Sequence, residues 1–203
     1  MPAKAAHFYS FDGIKPVIDS SAFVHPTAVV IGDVIVGPDC YVGPNSVLRG
    51  DFGRIRLGRA ANFQETCVAH SFPGEDVTVE DYGHIGHGAV LHGCTVGENA
   101  MIGMNAVIMD RAHIGANCIV GALSMVKANW TVPEGQLVVG NPARIERALE
   151  PDEIEWKRQG TDVYRQLALD APERLALCDP LDHVEPNRRK ISRYRVGLKQ
   201  DST

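Results

Sequence analysis

The chain has 203 residues, 44% of them hydrophobic and 22% charged, a composition that excludes a wholly disordered protein. No apolar run reaches the roughly 20 residues of a membrane helix, residues 1–10 lack the apolar stretch of a secretory signal, and a net charge of −5 is not typical of nucleic-acid binding. The apolar pattern and the charge therefore predict a protein that binds neither membrane nor nucleic acid. The five cysteines are an odd number without a CxxC pair, which predicts a reduced, cytoplasmic protein.

A six-residue repeat follows a lead-in of residues 1–21 and extends to residue 144. A large aliphatic residue recurs every six positions, and a small or β-branched residue stands two positions before it. This period fits neither a helix nor a flat strand, but it fits a coil with three short sides. We therefore predict that residues 22–144 form a parallel β-helix of six to seven coils. Its predicted inward residues are Val24, Val30, Val36, Val42, Leu48, Leu57, Phe63, Ala69, Val79, Ile85, Leu91, Val96, Ile102, Ile108, Ile114, Val120 and Val126.

Glycine follows many of these aliphatic residues, and we expect such glycines at sharp corners that need an unusual φ. Three breaks interrupt the period: insertions at 50–53 and 71–74, and a one-residue deletion after Leu91. Insertions into a solenoid are predicted to become surface loops, where functional residues gather. Four cysteines occupy small core positions of the repeat: Cys40, Cys67, Cys94 and Cys118.

Residues 145–178 leave the repeat and are predicted to form two helices that pack on the solenoid. The first covers residues 150–159, where a proline and two acidic residues indicate a helix start. Gly160 is predicted to end it, and Thr161 to cap the second helix.

Residues 179–203 form a basic tail, for which two interpretations remain open. It is either a solvated tail or a surface for an anionic ligand or partner. Its basic residues are Arg188, Arg189, Lys190, Arg193, Arg195 and Lys199.

Three histidines occupy informative positions on the predicted frame. His70 and His92 follow inward residues on the same side of neighbouring coils, so both point outward about 4.8 Å apart at the backbone. Two imidazoles at that spacing can bind one metal ion. His87 lies on another side, so it can complete a three-histidine site only from a neighbouring subunit, as in a closed trimer. Three histidine ligands leave an open coordination position for water, as in catalytic zinc sites. The alternative interpretation is that all three are ordinary surface histidines.

Polar residues accompany these histidines. Arg49 occupies the same outward position one coil before His70, and Asp51 follows it by two residues. We predict that these two side chains form an ion pair that holds subunits together. Gln64 either bonds a metal-bound water or faces solvent, and His84 either supports the histidine cluster or is exposed. The other four histidines are predicted to be surface or packing residues: His7, His25, His113 and His183.

Several stretches resemble the γ-class carbonic anhydrase-like hexapeptide proteins, in particular the branch of phenylacetate degradation and its carnitine-operon relatives. The similarity extends nearly from end to end and includes WKRQGTDVY in the predicted helical region. The stretches that carry it are LRGDFGRI (48–55), NFQETCVAH (62–70), GHIGHGAVLHGC (83–94), IGMNAVIMD (102–110) and VVGNPAR (138–144).

The resemblance implies an all-β, left-handed parallel β-helix with C-terminal α-helices, assembled as a homotrimer. It also implies zinc, or iron(II) or cobalt in its place, at the subunit interfaces. By motif, Arg49 and Asp51 match the interface ion pair and Gln64 matches the residue that orients metal-bound water. The metal ligands would be His70, His87 and His92.

The branch implies a metal-dependent thioesterase that cleaves aromatic acyl-CoA thioesters with metal-bound hydroxide, alongside γ-carbonic anhydrase activity. Two departures affect the second activity: Phe52 replaces a glutamate of the founding carbonic anhydrases, and residues 70–73 replace their acidic proton-shuttle loop. Glu65, Glu75 or Asp76 are the candidate substitutes. A thiolate leaving group needs little acid assistance, so these departures favour thioester cleavage over CO2 hydration.

The predicted substrate also gives the basic tail a role. Arg188, Arg189 and Lys190 would bind the phosphates of coenzyme A. Two alternatives stay open: a hexapeptide-repeat acyltransferase that uses a single histidine base and no metal, and a non-catalytic trimeric scaffold.

Overall fold

Short parallel strands form a β-solenoid of about seven turns, flanked by one helix. The computed structural model describes residues 6–194 and residue 196. The strands are β1 (His7–Tyr9), β2 (Val17–Ile18), β3 (Phe23–Val24), β4 (Val29–Val36), β5 (Tyr41–Val42), β6 (Val47–Leu57), β7 (Asn62–Phe63), β8 (Val68–His70), β9 (Val77–Val79), β10 (His84–Ile85), β11 (Val90–His92), β12 (Thr95–Val96), β13 (Met101–Ile102), β14 (Val107–Ile108), β15 (His113–Ile114), β16 (Ile119–Val120), β17 (Met125–Val126), β18 (Thr131–Val132), β19 (Gln136–Gly140) and β20 (Ala143–Ala148), and the helix is α1 (Pro151–Arg174).

The sixfold spacing places one hexad on each of three sides, as predicted. Side a stacks Val36, Leu57, Val79, Val96 and Ile114 in register. Side b stacks Val42, Phe63, Ile85, Ile102 and Val120. Side c stacks Leu48, Ala69, Leu91, Ile108 and Val126. These side chains are buried in one continuous core, which confirms the predicted inward positions, with Val24 only partly buried.

The small inward positions are also confirmed. Cys40, Cys67, Cys94 and Cys118 are buried free thiols, whereas Cys178 is exposed. Burial raises the pKa of Cys40, Cys67 and Cys94 to about 12, so these thiols stay protonated and act as small core residues.

The glycines that follow the aliphatic residues serve close stacking, and the prediction that they adopt an unusual φ is wrong. A Cβ at Gly103 would lie 2.5 Å from the Ala122 backbone nitrogen of the next coil. The positive φ values fall two residues later, for example 57° at Asn45 and 55° at Asn105. Asparagine tolerates this left-handed conformation better than most residues, so it occupies the corner position. The glycine has no side chain, which allows neighbouring coils to pack closely.

All three breaks in the period fall at the corner between side c and side a. The insertion at 50–53 is not a loop, contrary to the prediction, because β6 continues around this corner and pairs with β4 across a register shift. The insertion at 71–74 does form a turn, and after the deletion Gly93 adopts a φ of 54°. This corner directly follows three outward residues of side c: Arg49, His70 and His92.

The two ends of the solenoid differ from the predicted boundaries. The predicted lead-in joins the sheet, because β1 and β2 both pair in parallel with β4. At the other end β20 turns back and pairs antiparallel with β19, so the first residues after the repeat form a strand.

One helix, α1, replaces the two predicted helices and runs through Gly160. A glycine costs a helix only about 1 kcal/mol, which anchoring contacts on either side can offset. Lys157 Nζ donates to the Tyr82 carbonyl at 2.8 Å and to Asn99 Oδ1 at 2.9 Å. Thr161 is a buried residue within the helix, not its cap. Along the described residues, no helix is long and apolar enough to cross a membrane.

The tail after α1 has neither helix nor strand up to residue 194. It is tied back to the helix at Asp170, which pairs with Arg193 Nε at 2.7 Å and accepts a hydrogen bond from the Tyr194 hydroxyl at 2.7 Å. The predicted basic residues Arg195 and Lys199 lie outside the described residues.

Candidate metal centre

Two imidazoles lie side by side on the outer wall of side c. β8 and β11 pair His70 with His92 in register, and the ring centroids are 5.4 Å apart. His92 Nδ1 lies 2.6 Å from Asp110 Oδ1, which fixes the ring and leaves Nε2 for a ligand. This geometry agrees with the placement that the spacing predicted for the pair.

Both nitrogens of His70 have partners within the chain. Arg49 Nη2 lies 3.2 Å from Nδ1, and because a guanidinium only donates, Nδ1 accepts and Nε2–H donates to Asp51 Oδ1 at 3.0 Å. Arg49 also pairs with Asp51 at 2.8 Å. Burial opposes ionisation of Asp51, but the hydrogen bonds from Arg49 and His70 outweigh it and lower the carboxyl pKa. Partial burial lowers the pKa of His70. The predicted role of this ion pair between subunits stays a prediction.

His87 lies on side b, away from the other two histidines. Its Nδ1 is 2.5 Å from Glu65 Oε2, and Glu65 Oε1 accepts a hydrogen bond from the Tyr41 hydroxyl at 3.0 Å. The Tyr164 hydroxyl of α1 is 3.5 Å from His87 Nε2. Within the described part of a single chain, no three His, Cys, Asp or Glu side chains group closely enough to hold a metal ion.

The three candidate ligands share one feature that other histidines of the solenoid lack. A ring nitrogen faces a carboxylate in each: Asp51 at His70, Glu65 at His87 and Asp110 at His92. Metal-binding histidines usually have such a partner, because it fixes the ring and raises the basicity of the other nitrogen. The donor chemistry of these side chains therefore fits a metal such as zinc.

Gln64 and His84 belong to a buried polar network, so neither faces solvent. Gln64 Nε2 donates to Asn62 Oδ1 and contacts His84 Nε2, both at 2.8 Å. Burial lowers the pKa of His84 to about 3, so the ring is neutral. Because an amide nitrogen only donates, His84 Nε2 accepts the hydrogen bond from Gln64. With both amide protons used, the free hydrogen-bonding atom of Gln64 is its carbonyl oxygen. Thr161 of α1 completes the network at 3.3 Å from His84 Nδ1.

The three acidic residues considered as proton-shuttle substitutes all have partners. Glu65 contacts His87 and Tyr41, Glu75 pairs with Arg111 at 3.4 Å, and Asp76 Oδ1 accepts from the Arg54 backbone N–H at 2.8 Å.

Aromatic rings flank the histidine pair instead. Phe52 lies 5.2 Å from the His70 ring, and Phe72 lies 5.1 Å from the His92 ring. Both phenylalanines are exposed, Phe52 at 49% and Phe72 at 60%. The outer wall at this corner therefore combines two imidazoles with an exposed apolar border.

The three basic residues assigned to coenzyme A do not all line the same cavity. Arg188 pairs with Glu185 at 2.7 Å. Arg189 and Lys190 line a cavity between the tail, α1 and the solenoid. Only these two residues of the predicted set therefore face a cavity beside side b.

Sequence reasoning missed three residues of these networks: Asp110, Tyr41 and Tyr164. Asp110 stands 18 residues after His92, one full coil later, so the coil length was a usable signal. No comparable signal connects Tyr164 to His87, because the two are 77 residues apart and meet only through the packing of α1.

Comparison with known proteins finds similarity over most of the chain. A family model described as "Bacterial transferase hexapeptide (six repeats)" matches residues 15–50 and 93–128. The carnitine operon protein CaiE of Salmonella agona (strain SL483) is 48% identical over 184 residues, 91% of this chain and 93% of that protein.

Solved structures show the same architecture. A hexapeptide transferase family protein from Anaplasma phagocytophilum is similar with a TM-score of 0.77 and 33% identity, over 80% of this chain and 96% of that chain. A perosamine N-acetyltransferase from Caulobacter crescentus, solved with CoA and GDP-perosamine, has a TM-score of 0.54 and 26% identity, over 64% of this chain and 57% of that chain.

Proposed function

Because the chain belongs to the hexapeptide-repeat family, in the branch of the carnitine operon protein CaiE, we propose that it is a cytoplasmic metal-dependent hydrolase of aromatic acyl-CoA thioesters in phenylacetate catabolism. The observation that carries the proposal is the in-register pair of His70 and His92, whose rings are 5.4 Å apart. Hexapeptide-repeat β-helices are typically trimeric, and a homotrimer would let the His87 of a neighbouring subunit complete the ligand set.

Carboxylate-backed imidazoles support zinc, or iron(II) or cobalt in its place, as the metal. When bound, the metal supplies a Lewis acid for the thioester carbonyl and lowers the pKa of a coordinated water. Asp110 and Glu65 hold the rings of His92 and His87, so that Nε2 of each would be the atom available to a metal.

His70 needs one free nitrogen to join this set, and in the single chain Arg49 and Asp51 occupy both. We propose that trimer formation frees it, because Arg49 and Asp51 then pair across the interface. The Gln64 carbonyl oxygen, fixed by His84 and Asn62, would accept a hydrogen bond from the attacking water and orient it.

An aromatic acyl group is supported by Phe52 and Phe72, whose exposed rings border the histidine pair. Aromatic side chains favour aromatic ligands through stacked or edge-to-face contacts. The hydrolysis releases a thiolate, which needs little protonation. Glu65, Glu75 and Asp76 are each paired within the chain, which is compatible with thioester hydrolysis and less so with fast CO2 hydration, a reaction that needs proton export.

The decisive experiment compares His92→Ala with His113→Ala, an exposed histidine of the same solenoid. Protein purified anaerobically is analysed for metal content and assayed with phenylacetyl-CoA and ring-modified relatives. We expect His92→Ala to lose the metal and the activity while keeping the native circular dichroism, and His113→Ala to keep all three. Full zinc occupancy in His92→Ala would refute the ligand assignment, and zinc without thioester turnover in the wild type would refute the hydrolase.

A hexapeptide acyltransferase is the second candidate, because the matched family model and the CoA-bound Caulobacter acetyltransferase favour it. Such an enzyme would use one histidine as base and require an acceptor amine or alcohol. Turnover that depends on an added acceptor and survives removal of metal by a chelator would support this function over hydrolysis.

A further inference from the structure

A cavity of about 780 Å³ lies between side b, the second half of α1 and the C-terminal tail. This volume falls within the range of about 300–1,000 Å³ that is usual for small-molecule and cofactor sites. The solenoid wall of the cavity is aromatic. Phe23 and Tyr41 stack with centroids 5.8 Å apart, and the His25 ring lies edge-on to Phe23 at 6.3 Å.

The opposite wall is basic. Four cations line it, and among the described residues the only carboxylate on the cavity lining is Asp170, which Arg193 and Tyr194 already engage. Arg189 and Lys190 have no ion-pair partner among residues 6–194. The lining therefore carries a net positive charge that attracts anions, and an aromatic wall that can stack on a planar ring. The four cations are Arg174, Arg189, Lys190 and Arg193.

The cavity adjoins the wall that carries His87. Tyr41 lines the cavity, and its hydroxyl donates to Glu65, which contacts His87. Tyr164, whose ring packs against Tyr41 with centroids 5.5 Å apart, reaches His87 from the helix. A ligand held in the cavity by one end can therefore extend its other end toward the candidate metal centre.

We propose that this cavity binds the 3′-phosphorylated adenosine nucleotide of coenzyme A, with the adenine on Phe23 and the phosphates on Arg189 and Lys190. The proposal rests on the proposed function for the identity of the ligand, and it locates the part of the substrate that does not react. Arg188 takes no part, because it pairs with Glu185 and does not line the cavity.

The test is isothermal titration calorimetry of the full-length protein with 3′-phosphoadenosine 5′-phosphate and, separately, with inorganic phosphate. Replacing both unpaired cations, Arg189→Gln with Lys190→Gln, is expected to weaken binding of the nucleotide at least about tenfold, because two charge-assisted contacts are lost. Phe23→Leu is expected to weaken binding of the nucleotide but not of phosphate. Arg188→Gln is the matched control and is expected to bind like the wild type.

Three results would overturn the assignment: wild-type affinity in the double variant, an equal loss in Arg188→Gln, or inorganic phosphate binding as tightly as the nucleotide. Hydrolysis assays separate this assignment from the proposed function. If the double variant hydrolyses phenylacetyl-CoA with an unchanged KM, the cavity assignment fails and the hydrolase stands. If the nucleotide binds as described but no thioester is hydrolysed, the cavity assignment stands and the hydrolase fails.

Discussion

The solenoid and α1 pack against each other along side b, yet they are held by different kinds of contact. The solenoid core is a continuous stack of fully buried aliphatic residues such as Ile102. The buried face of α1 is instead largely polar, and its long side chain there, Lys157, is fixed by two hydrogen bonds to the solenoid. The repeat therefore generates its own fold by apolar burial, whereas a few specific polar contacts determine where the helix lies.

The largest effect is expected from truncating the solenoid core. Ile102→Ala removes a fully buried side chain and should lower the free energy of unfolding by about 2–5 kcal/mol. Urea unfolding at one fixed protein concentration measures it, with Leu169→Ala as the helix control because that residue is 40% exposed. Equal losses in the two variants would contradict the difference between the two regions.

The next effect comes from the close approach of the coils. Gly103→Ala places a Cβ 2.5 Å from the Ala122 backbone nitrogen, and a backbone atom cannot rotate away as a side chain can. We expect a loss of about 1–3 kcal/mol in unfolding free energy. Wild-type stability of this variant in the same urea experiment would show that the coils are stacked less tightly than their glycines suggest.

Lys157 makes the docking of α1 depend on pH. Burial, assisted by Arg158, lowers its pKa to about 7, while Asp162 acts in the opposite sense. Between pH 7 and about 10.4 the Lys157 amine is protonated in the unfolded chain but neutral in the folded protein. The stabilising contribution of the neutral, buried amine is therefore complete above this pH range and is lost as the pH falls through it.

The measurement is the difference in unfolding free energy between the wild type and Lys157→Met across pH 7–9. The difference should change by up to about 1.4 kcal/mol per pH unit. Taking the difference is necessary because the buried thiols, whose pKa is raised, destabilise the fold as pH rises past the pKa of an unfolded cysteine. Exposed Lys127→Met is the matched control, and a similar slope in that variant would contradict the role of burial.

The smallest effect should be a gain. Gly160 lies within α1 and a Cβ there would meet nothing within 4 Å. Gly160→Ala is therefore expected to raise the unfolding free energy by about 0.5–1 kcal/mol, since alanine has the higher helix propensity. A loss of stability would mean that the helix bends or packs at this residue in a way that the open space does not indicate.

The sequence predicted the solenoid in detail because one hexad corresponds to one side. Strand partners such as Val96 and Ile114 follow from an 18-residue coil. Partners that span a break, such as Leu57 and Val79, follow once the inserted or deleted residues are counted. The helix was mispredicted at Gly160, because local propensity marks a glycine as a stop while the anchoring of Lys157 to Tyr82 and Asn99 is a long-range contact.

The candidate site divides in the same way. The neighbouring positions of His70 and His92 were predictable from the repeat, because both occupy outward positions on side c. The contacts of Gln64 with His84 and of His87 with Tyr164 were not, since they depend on side-chain orientation and on the packing of α1. Assignments that require a second subunit remain predictions.

The corner between sides c and a is where this chain departs from regular coil length, at 50–53, at 71–74 and just before Gly93. Because the strands of sides a, b and c resume correct register after each departure, residues can be added or removed there while the remaining walls keep their alignment. Evolution can thus remodel the surroundings of the outward histidines without redesigning the scaffold. Related chains that differ in substrate should accordingly vary in length at this one edge and stay constant at the other two.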